Sequence, residues 1–554
     1  MGVELRETGR QRRIGHIERL SKMIRIREIS LPSKCWTDAE KRLIREAAHI
    51  LRISEDAVRR VVLVRRSVDA RKKPDVHVIY TIDVEVSGNE KKILNRCKDR
   101  RVAAADIYEY SVPVPATLSA NRPVVIGFGP AGMFAALVLA MAGANPLVLE
   151  RGDDAQTRSR KVREFSAGGR LDPESNVQFG EGGAGTFSDG KLNTGVNNPR
   201  IGWILRQFVQ AGAGDEILYD ARPHVGTDVL VTVVQNLRRR IRELGGEVRF
   251  NARAEALLTA DGHVTGVLMA DGTRIEAQQV ILAVGHSARD TFEMLLETGV
   301  PMERKPFAMG VRIEHAQEQI DRAQYGAEDP YLPPADYKLV RHLEDRTVYT
   351  FCMCPGGYVV AAASEEGGVV TNGMSNHDRG GKNANAALLV SIEPKDIPLP
   401  GVLGGMYWQR QIEQAAYALS GSYRAPAQTV GDFLAGKASC GASDVEPTYR
   451  PGVHWCDLHE FLPAQISGAL EKAIPQLDGS LHGFSAPGAV LTGPETRSSS
   501  PVRILRDESR QSALRGLYPA GEGAGYAGGI MSAALDGMLT AEAVLTGSAD
   551  CRHM

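Results

Sequence analysis

Gly127, Gly129 and Gly132 follow the apolar run Val124–Ile126 and open a second apolar run that reaches about Gly143. This is G-x-G-x-x-G spacing between a strand and a helix. Gly127 permits a tight turn, Gly129 lets backbone approach a pyrophosphate, and Gly132 lets helix and strand pack closely. Pro130 suits the first helical position, where its missing N–H costs nothing. Ala131 and Gly132 then present free N–H groups and the positive end of the helix dipole to an anion. A second strand, Pro146–Leu149, ends in Glu150 and Arg151. A carboxylate at position 150 can accept from both ribose hydroxyls of an adenosine and disfavours a 2′-phosphate.

A second chemistry-bearing stretch is FGEGGAGTFSDGKLNTG (179–195). Its glycines, among them Gly182 and Gly183, allow close approach to a flat ligand. Thr186, Ser188 and Lys191 are expected to donate hydrogen bonds to it. Gly185-x4-Gly190-Lys191 mimics a phosphate-binding P-loop, but Leu192 stands where Ser or Thr must hold Mg²⁺. A nucleoside-triphosphatase is therefore excluded.

The C-terminal stretch GLYPAGEGAGYAGGIMSAALDGMLTAEAVL (516–545) reads as strand, Gly521-Glu522, a loop with Gly528 and Gly529, then a helix from Ile530. An acid at the strand end can bond a ribityl chain. The following helix N-terminus would face a flavin pyrimidine edge and stabilise the charge of the reduced ring. Between the two stretches, the Asp271-Gly272-Thr273 hairpin leads into QVILAVGHSA (279–288), a strand ending near Gly285. Three such elements in this order predict FAD rather than NAD. No second G-x-G-x-x-G follows, so no dedicated NAD(P)H domain is expected. The flavin would be reduced by its substrate, by transiently bound NAD(P)H or by a protein partner.

Four residues are candidates for catalysis. Cys352 and Cys354 form a C-x-C; they read as a redox pair or nucleophile, or as two small residues on one face of a strand. The second reading is the stronger, because a disulfide across C-x-C is strained. His377 and Arg379 flank Asp378 in a polar loop that is able to bind an anion or move protons, or is simply a solvated turn, the stronger of the two readings. Arg497, with Ser498–Ser500, offers a further anion contact. His454, Cys456, Asp457 and His459 have the types of metal ligands, but Asp457 and Glu460 make a capping box for a helix to about Pro475, and no metal site is expected.

These motifs resemble a largely uncharacterised family of bacterial FAD-dependent dehydrogenases. The resemblance rests on NVQFGEGGAGTFSDGKLNTG (176–195), TFCMCPGGYVV (350–360), TNGMSNHDRGGKNANAALLVSI (371–392), TGPETRSSSPVRI (492–504) and LYPAGEGAGYAGGIMSAALDG (517–537). It spans nearly all of residues 23–547. It implies a glutathione-reductase-like two-part FAD fold and an oxidoreductase acting on a small molecule that it does not identify. Most relatives of that fold carry Asp where Glu522 stands. The C-x4-C of glutathione-reductase-like disulfide enzymes is missing, since no Cys lies between positions 98 and 351.

The elements that must hold these residues divide the chain. Lys plus Arg number 66 and Asp plus Glu 67, so bulk charge points to neither nucleic acid nor membrane. Residues 1–120 nevertheless carry 26 basic and 17 acidic residues. Residues 1–22 are a basic extension. Residues 23–115 alternate as βαββαβ, an N-terminal ferredoxin-like α+β domain. Its strands are expected at Ile24–Leu31, Val61–Val68, His77–Val86 and Ile107–Val112. Its helices are expected from Asp38, capped by Thr37 and Glu40, and over Asn89–Lys98. Residues 120–300 form the first part of a Rossmann-like α/β FAD-binding domain, 301–485 an inserted mixed α+β substrate domain, and 486–554 the return segment. A helix over Asp228–Leu244 and paired strands over Glu247–Leu258 and His263–Met269 belong to the first part.

The uncharged stretch 123–149 is long enough to span a membrane, but its glycines break it into strand and helix. The start of the chain shows no apolar signal segment, and seven cysteines make no secreted disulfide framework, so the expected setting is cytoplasmic. The Arg65–Lys73 basic run reads as a solvated hairpin tip. Two other readings are a flavoenzyme anchored on nucleic acid by its N-terminal domain and a non-enzymatic flavin sensor.

Overall fold

Alternation places Val78, Tyr80, Ile82 and Val84 of one strand on a single face, all at most 1% exposed. Together with Ile24, Ile26, Ile29 and Leu31 they form the floor of the first core. The computed structural model describes residues 23–106, 108–114 and 121–547. The 1–22 extension, linker residues 115–120 and the last seven residues lie outside them.

The N-terminal sheet has the order Val58–Asp69, His77–Val86, Ile24–Pro32, Val102–Ala104, antiparallel throughout. That is the ferredoxin-like topology expected from the element order. The helix Glu40–Leu51 covers the apolar face through Leu43, Ala47, Ile50 and Leu51. Burying each Leu or Ile contributes roughly 1.5–3 kcal/mol. Two expectations are corrected. Thr37 and Glu40 form no capping box: the helix starts at Glu40 behind Ala39, whose backbone is already helical, after a short turn at Ser33–Cys35. The last described strand is Val102–Ala104, and residues 108–112 form none, because a turn in which Asp99 accepts from Arg101 N sets residues 102–104 in register with Ile24–Ile26; Ile107 of the expected strand lies outside the described residues. Residues 215–223 and 325–333 also belong to this unit. The basic run is not wholly solvated: Arg66 turns inward over Trp36 at 3.9 Å and pairs with Asp220 at 2.7 Å.

The second unit begins with a five-stranded parallel sheet. Its order is Leu517–Pro519, Val280–Leu282, Val124–Ile126, Leu147–Leu149, Glu247–Arg249. The helix Pro130–Met141 is apolar on every side and buried on every side. A helix like this belongs in a core, and none of the described helices is long and apolar enough to cross a membrane. The helix Thr227–Glu243 runs as expected. The strand expected over Glu247–Leu258 is two: Glu247–Arg249 joins the parallel sheet, and Ala254–Ala260 pairs with His263–Met269.

The inserted region forms a seven-stranded sheet, Val340–His342, Thr347–Cys354, Asn383–Ile392, Phe307–Ala316, Val490–Glu495, Ala425–Thr429, Val453–Trp455. Val490–Glu495 lies inside it, so the return segment starts after Glu495 and not at residue 486. The central strand carries Arg312, Glu314 and His315 fully buried. Each finds a partner off its own strand: Arg312 pairs with Glu495, Glu314 accepts from Asn383 and Thr448, and His315 Nε2 meets the Phe484 carbonyl while its Nδ1 is left without a hydrogen bond. The cap at Asp457 is also revised. Its side chain accepts from His459 N at the head of a short turn, and the helix begins at Ala464 and runs through Pro475 to Asp478. His459 spends both ring nitrogens on carboxylates, Asp457 at 2.6 Å and Glu471 at 2.8 Å.

Candidate functional site

Three parallel strands end side by side, and the site grows from their C-terminal ends. Ile126 leads to Gly127, Leu282 to Gly285 and Pro519 to Gly521. Gly127 has φ +95°, and a Cβ there would overlap the Ala283 carbonyl. A Cβ on Gly132 would overlap the Gly127 carbonyl. These two glycines serve packing. Gly129 is different: an added Cβ meets only Gly183 Cα, at 3.7 Å, and at Gly285, Gly528 and Gly529 it meets nothing within 4 Å. The wall of the crevice is therefore bare backbone facing open space.

Two helices start at that wall without a side-chain cap, Pro130–Met141 behind Gly129 and Ile530–Thr546 behind Gly529. The first free N–H groups of each, Ala131 and Gly132 in one, Ile530 and Met531 in the other, are the unpaired donors an anion needs. The distant segments meet directly. A Cβ on Gly521 would lie 2.7 Å from the Ala131 side chain. Asp536, inside the apolar return helix, accepts from Gly521 N at 2.8 Å and from Arg506 and Arg510 at 2.7 Å, which fixes the loop to its own helix.

Glu150 is 4% exposed and accepts three backbone N–H groups: Phe128 at 2.7 Å, Gly152 at 2.9 Å and Gly180 at 3.0 Å. A carboxylate has about four lone-pair sites. The arrangement leaves capacity for one ribose hydroxyl, not the two expected. Arg151 is turned to the protein, paired with Glu174 at 3.0 Å and Asp290 at 2.7 Å and lying over Phe179.

The glycine loop lies on the first turn. Gly182 N donates to the Phe128 carbonyl at 2.9 Å, and Gly183 faces Gly129. Thr186 and Ser188 do not point donors outward as expected. Their hydroxyls donate to the Glu181 and Gly185 carbonyls, because a loop this rich in glycine needs internal bonds to hold one shape. Asp189, not singled out from sequence, is the hub. Ser375 Oγ donates to it, and Arg379 Nη2 donates at 3.1 Å. Burial pushes its carboxyl up, but Lys191 and Arg379 outweigh that and hold it low. His377 sits nearby, its Nδ1 3.1 Å from the Val225 carbonyl and its ring stacked on His224 at 5.5 Å. Burial, with help from Arg379, holds His224 down at about 4, so it is neutral.

Cys352 and Cys354 lie next to this hub on Thr347–Cys354. Cys352 has φ +43° at a slip in the strand register. The even alternation expected of them is broken, and Cys354 Sγ lies 3.3 Å from the Cys352 carbonyl. Arg312, wholly buried against Glu495, donates to that same carbonyl at 2.9 Å.

Across the crevice, Glu522 accepts from Gly529 N at 3.4 Å and has His286 Nε2 at 3.8 Å. Burial pushes the Glu522 carboxyl up to about 7. Burial, then Arg497 and Arg289, drive His286 down to about 3. Arg497 itself is not a free anion site: it and Arg289 clamp the buried Glu413, each at 2.8 Å. Sequence reading passed over Asp189, His286, Glu413 and Asp536. Only Asp536, a carboxylate in a mostly apolar helix that it shares with Glu542, gave a visible signal.

Open backbone, two uncapped helix starts and an acid at the return strand fit FAD. Comparison with known proteins agrees. Residues 306–498 match the model of the FAD-dependent protein C-terminal domain-like family, and residues 23–85 match a domain of unknown function. The chain is 47% identical over 502 residues to an uncharacterized protein of Clostridium beijerinckii, covering 89% of this chain and 94% of that one. It is 32% identical over 166 residues to FixC of Escherichia coli K12, covering 29% of this chain and 36% of FixC. A geranylgeranyl bacteriochlorophyll reductase-like structure from Thermoplasma acidophilum aligns at 13% identity and TM-score 0.33 over 76% of this chain and 77% of that one. The chain belongs to the family of FAD-dependent proteins that it shares with the Clostridium beijerinckii protein, and FAD is its cofactor.

Proposed function

We propose that this protein is a flavin-dependent oxidoreductase that passes a hydride between flavin N5 and a small molecule held by the inserted domain. The observation that carries the reading is the convergence of the turns at Gly129, Gly285 and Gly529 at the ends of adjacent parallel strands, where an added Cβ would meet at most an ordinary contact. FAD supplies the two-electron chemistry when bound. The chain's own residues do the rest. The Ala131 and Gly132 N–H groups hold the pyrophosphate, Glu150 takes one ribose hydroxyl, and Glu522 takes the ribityl chain. The N-terminus of Ile530–Thr546 places partial positive charge where reduction adds negative charge. Asp189 fixes the glycine loop, and the Lys191 cation lies close enough to act on Asp189 and Cys352. The partial likeness to YdiS of Escherichia coli K12, a probable electron transfer flavoprotein-quinone oxidoreductase, supports flavin redox work without naming a substrate.

The test is direct. Purified protein should show the visible absorption of oxidised flavin and lose it when an electron donor is added without oxygen. A colourless protein that takes up no FAD on reconstitution overturns the reading.

A further inference from the structure

The Thr347–Cys354 strand is irregular at one point only, and that point is Cys352. Positive φ at a residue with a side chain is unfavourable and persists where the surroundings impose it. Here they do. Arg312 donates to the Cys352 carbonyl from one side, and the Cys354 thiol approaches the same oxygen from the other. Arg312 cannot drift, because Glu495, Asn385 and Asn372 hold its remaining N–H groups. In a regular strand, side chains two residues apart stand about 7 Å apart. The slip between Phe351 and Cys354 breaks that spacing, and the Cys354 thiol turns back on its neighbour, its Sγ 3.3 Å from the Cys352 carbonyl. The adjacent Cys354 thiol, with Arg312 and Lys191 adding to it, draws the Cys352 thiol down, and the same pairing together with burial pushes the Cys354 thiol up. Cys352 is half-buried and reachable, whereas Cys354 is fully buried behind it. An accessible thiol primed as the anion, with a second thiol behind it, is the arrangement of attacking and resolving sulfurs.

We propose that Cys352 and Cys354 are a redox-active dithiol that reduces a disulfide substrate with electrons from the flavin, an inference that rests on the flavoenzyme reading above. Cys352 sulfur attacks the substrate disulfide. The substrate S–S bond breaks, one half leaves as a thiol, and the other stays as a mixed disulfide on Cys352. Cys354 sulfur then attacks Cys352 sulfur, releases the second half as a thiol and closes the Cys352–Cys354 bridge. The bridge reopens by taking two electrons and two protons from the reduced flavin, which an external two-electron donor of the nicotinamide class recharges. A C-x-C bridge closes a small, strained ring, and strain makes a disulfide easier to reduce. This is a different device from the C-x4-C of glutathione-reductase-like enzymes.

The test uses the FAD-loaded full chain, oxidised with diamide and freed of reagent. Cleavage after Arg346 and Arg379 gives peptide 347–379, which holds these two cysteines and no others. Its mass should be lower by two hydrogens than after thiol reduction, and it should resist iodoacetamide until reduced. Anaerobic dithionite titration should consume one electron pair more per flavin in the wild type than in Cys352→Ser or Cys354→Ser. A wild-type peptide 347–379 that keeps both thiols free after diamide overturns the proposal, whatever the variants do. Equal electron uptake in all three flavin-loaded proteins also overturns it. Absence of flavin overturns the flavoenzyme reading instead, so the two failures are distinguishable.

Discussion

Gly537, midway along the return helix, lies against the carbonyl of Ala131 in the first helix, so closely that a methyl group on Gly537 would overlap that oxygen. Residues more than 400 positions apart thus set the separation of the two helices whose starts form the crevice. Gly537→Ala is expected to lower stability. Ala gains about 1 kcal/mol of helix propensity over Gly. Overpacking against backbone costs roughly 1–3 kcal/mol, and backbone cannot rotate away as a side chain can. Thermal unfolding should show a lower Tm with weakened FAD retention; an unchanged or raised Tm would mean the helices part without cost.

Gly129 and Gly127 should fail in different ways. Gly129 has φ −75°, open to any residue, and an added Cβ meets only ordinary contact. Gly129→Leu should therefore fold with a near-native Tm and retain no flavin, since its side chain fills the pyrophosphate position. Gly127→Leu combines φ +95° with overlap on the Ala283 carbonyl and should damage folding itself. Flavin content and Tm, measured on both proteins, separate the two. A yellow Gly129→Leu protein would contradict the docking described.

What could be read from sequence followed from short-range rules. The fingerprint glycines, the strand–Gly–helix return and the βαββαβ order each depend on residues near one another, and all three stand in the fold. What could not be read depends on contacts between distant positions. Thr186 and Ser188 looked like ligand donors because nothing in the sequence shows that their hydroxyls turn back on the loop's own carbonyls. Asp189 was one more polar residue until Ser375 and Arg379, almost 190 positions away, came to meet it. The slip at Cys352 arises from Arg312 on another strand, so period-two alternation was the best local guess and was wrong there.

Glu150 makes a quantitative case for a residue both structural and cofactor-facing. One of its oxygens accepts from Phe128 N, and the other from Gly152 N and Gly180 N. Glu150→Gln keeps the shape, but its amide has one acceptor oxygen and turns an NH₂ toward N–H donors. At least one buried donor is orphaned, at a cost of about 1–3 kcal/mol. Urea unfolding should show that loss, and FAD should dissociate faster because the first turn and the glycine loop are no longer tied together. Wild-type unfolding free energy in Glu150→Gln would show that the three bonds are not strained by the exchange.

The buried Glu413 gives a pH dependence with a definite sign. Burial alone raises a carboxyl, but Arg289 and Arg497 on either side outweigh it and bring Glu413 down to about 2 from 4.5. Its folded-state value lies below its unfolded one. The stabilisation is therefore complete above about pH 4.5 and is lost as pH falls toward about 2. At 1.36 kcal/mol per unit the shift corresponds to about 3 kcal/mol. Glu413→Gln leaves two guanidiniums facing a neutral amide, so it should cost about 3–5 kcal/mol near neutrality. The cost relative to wild type should shrink across that acidic window, because protonated Glu413 and Gln are then alike in charge. Denaturant unfolding of both proteins over the window measures the difference directly. A gap that stays constant as pH falls would show that Glu413 is not held ionised by its two arginines.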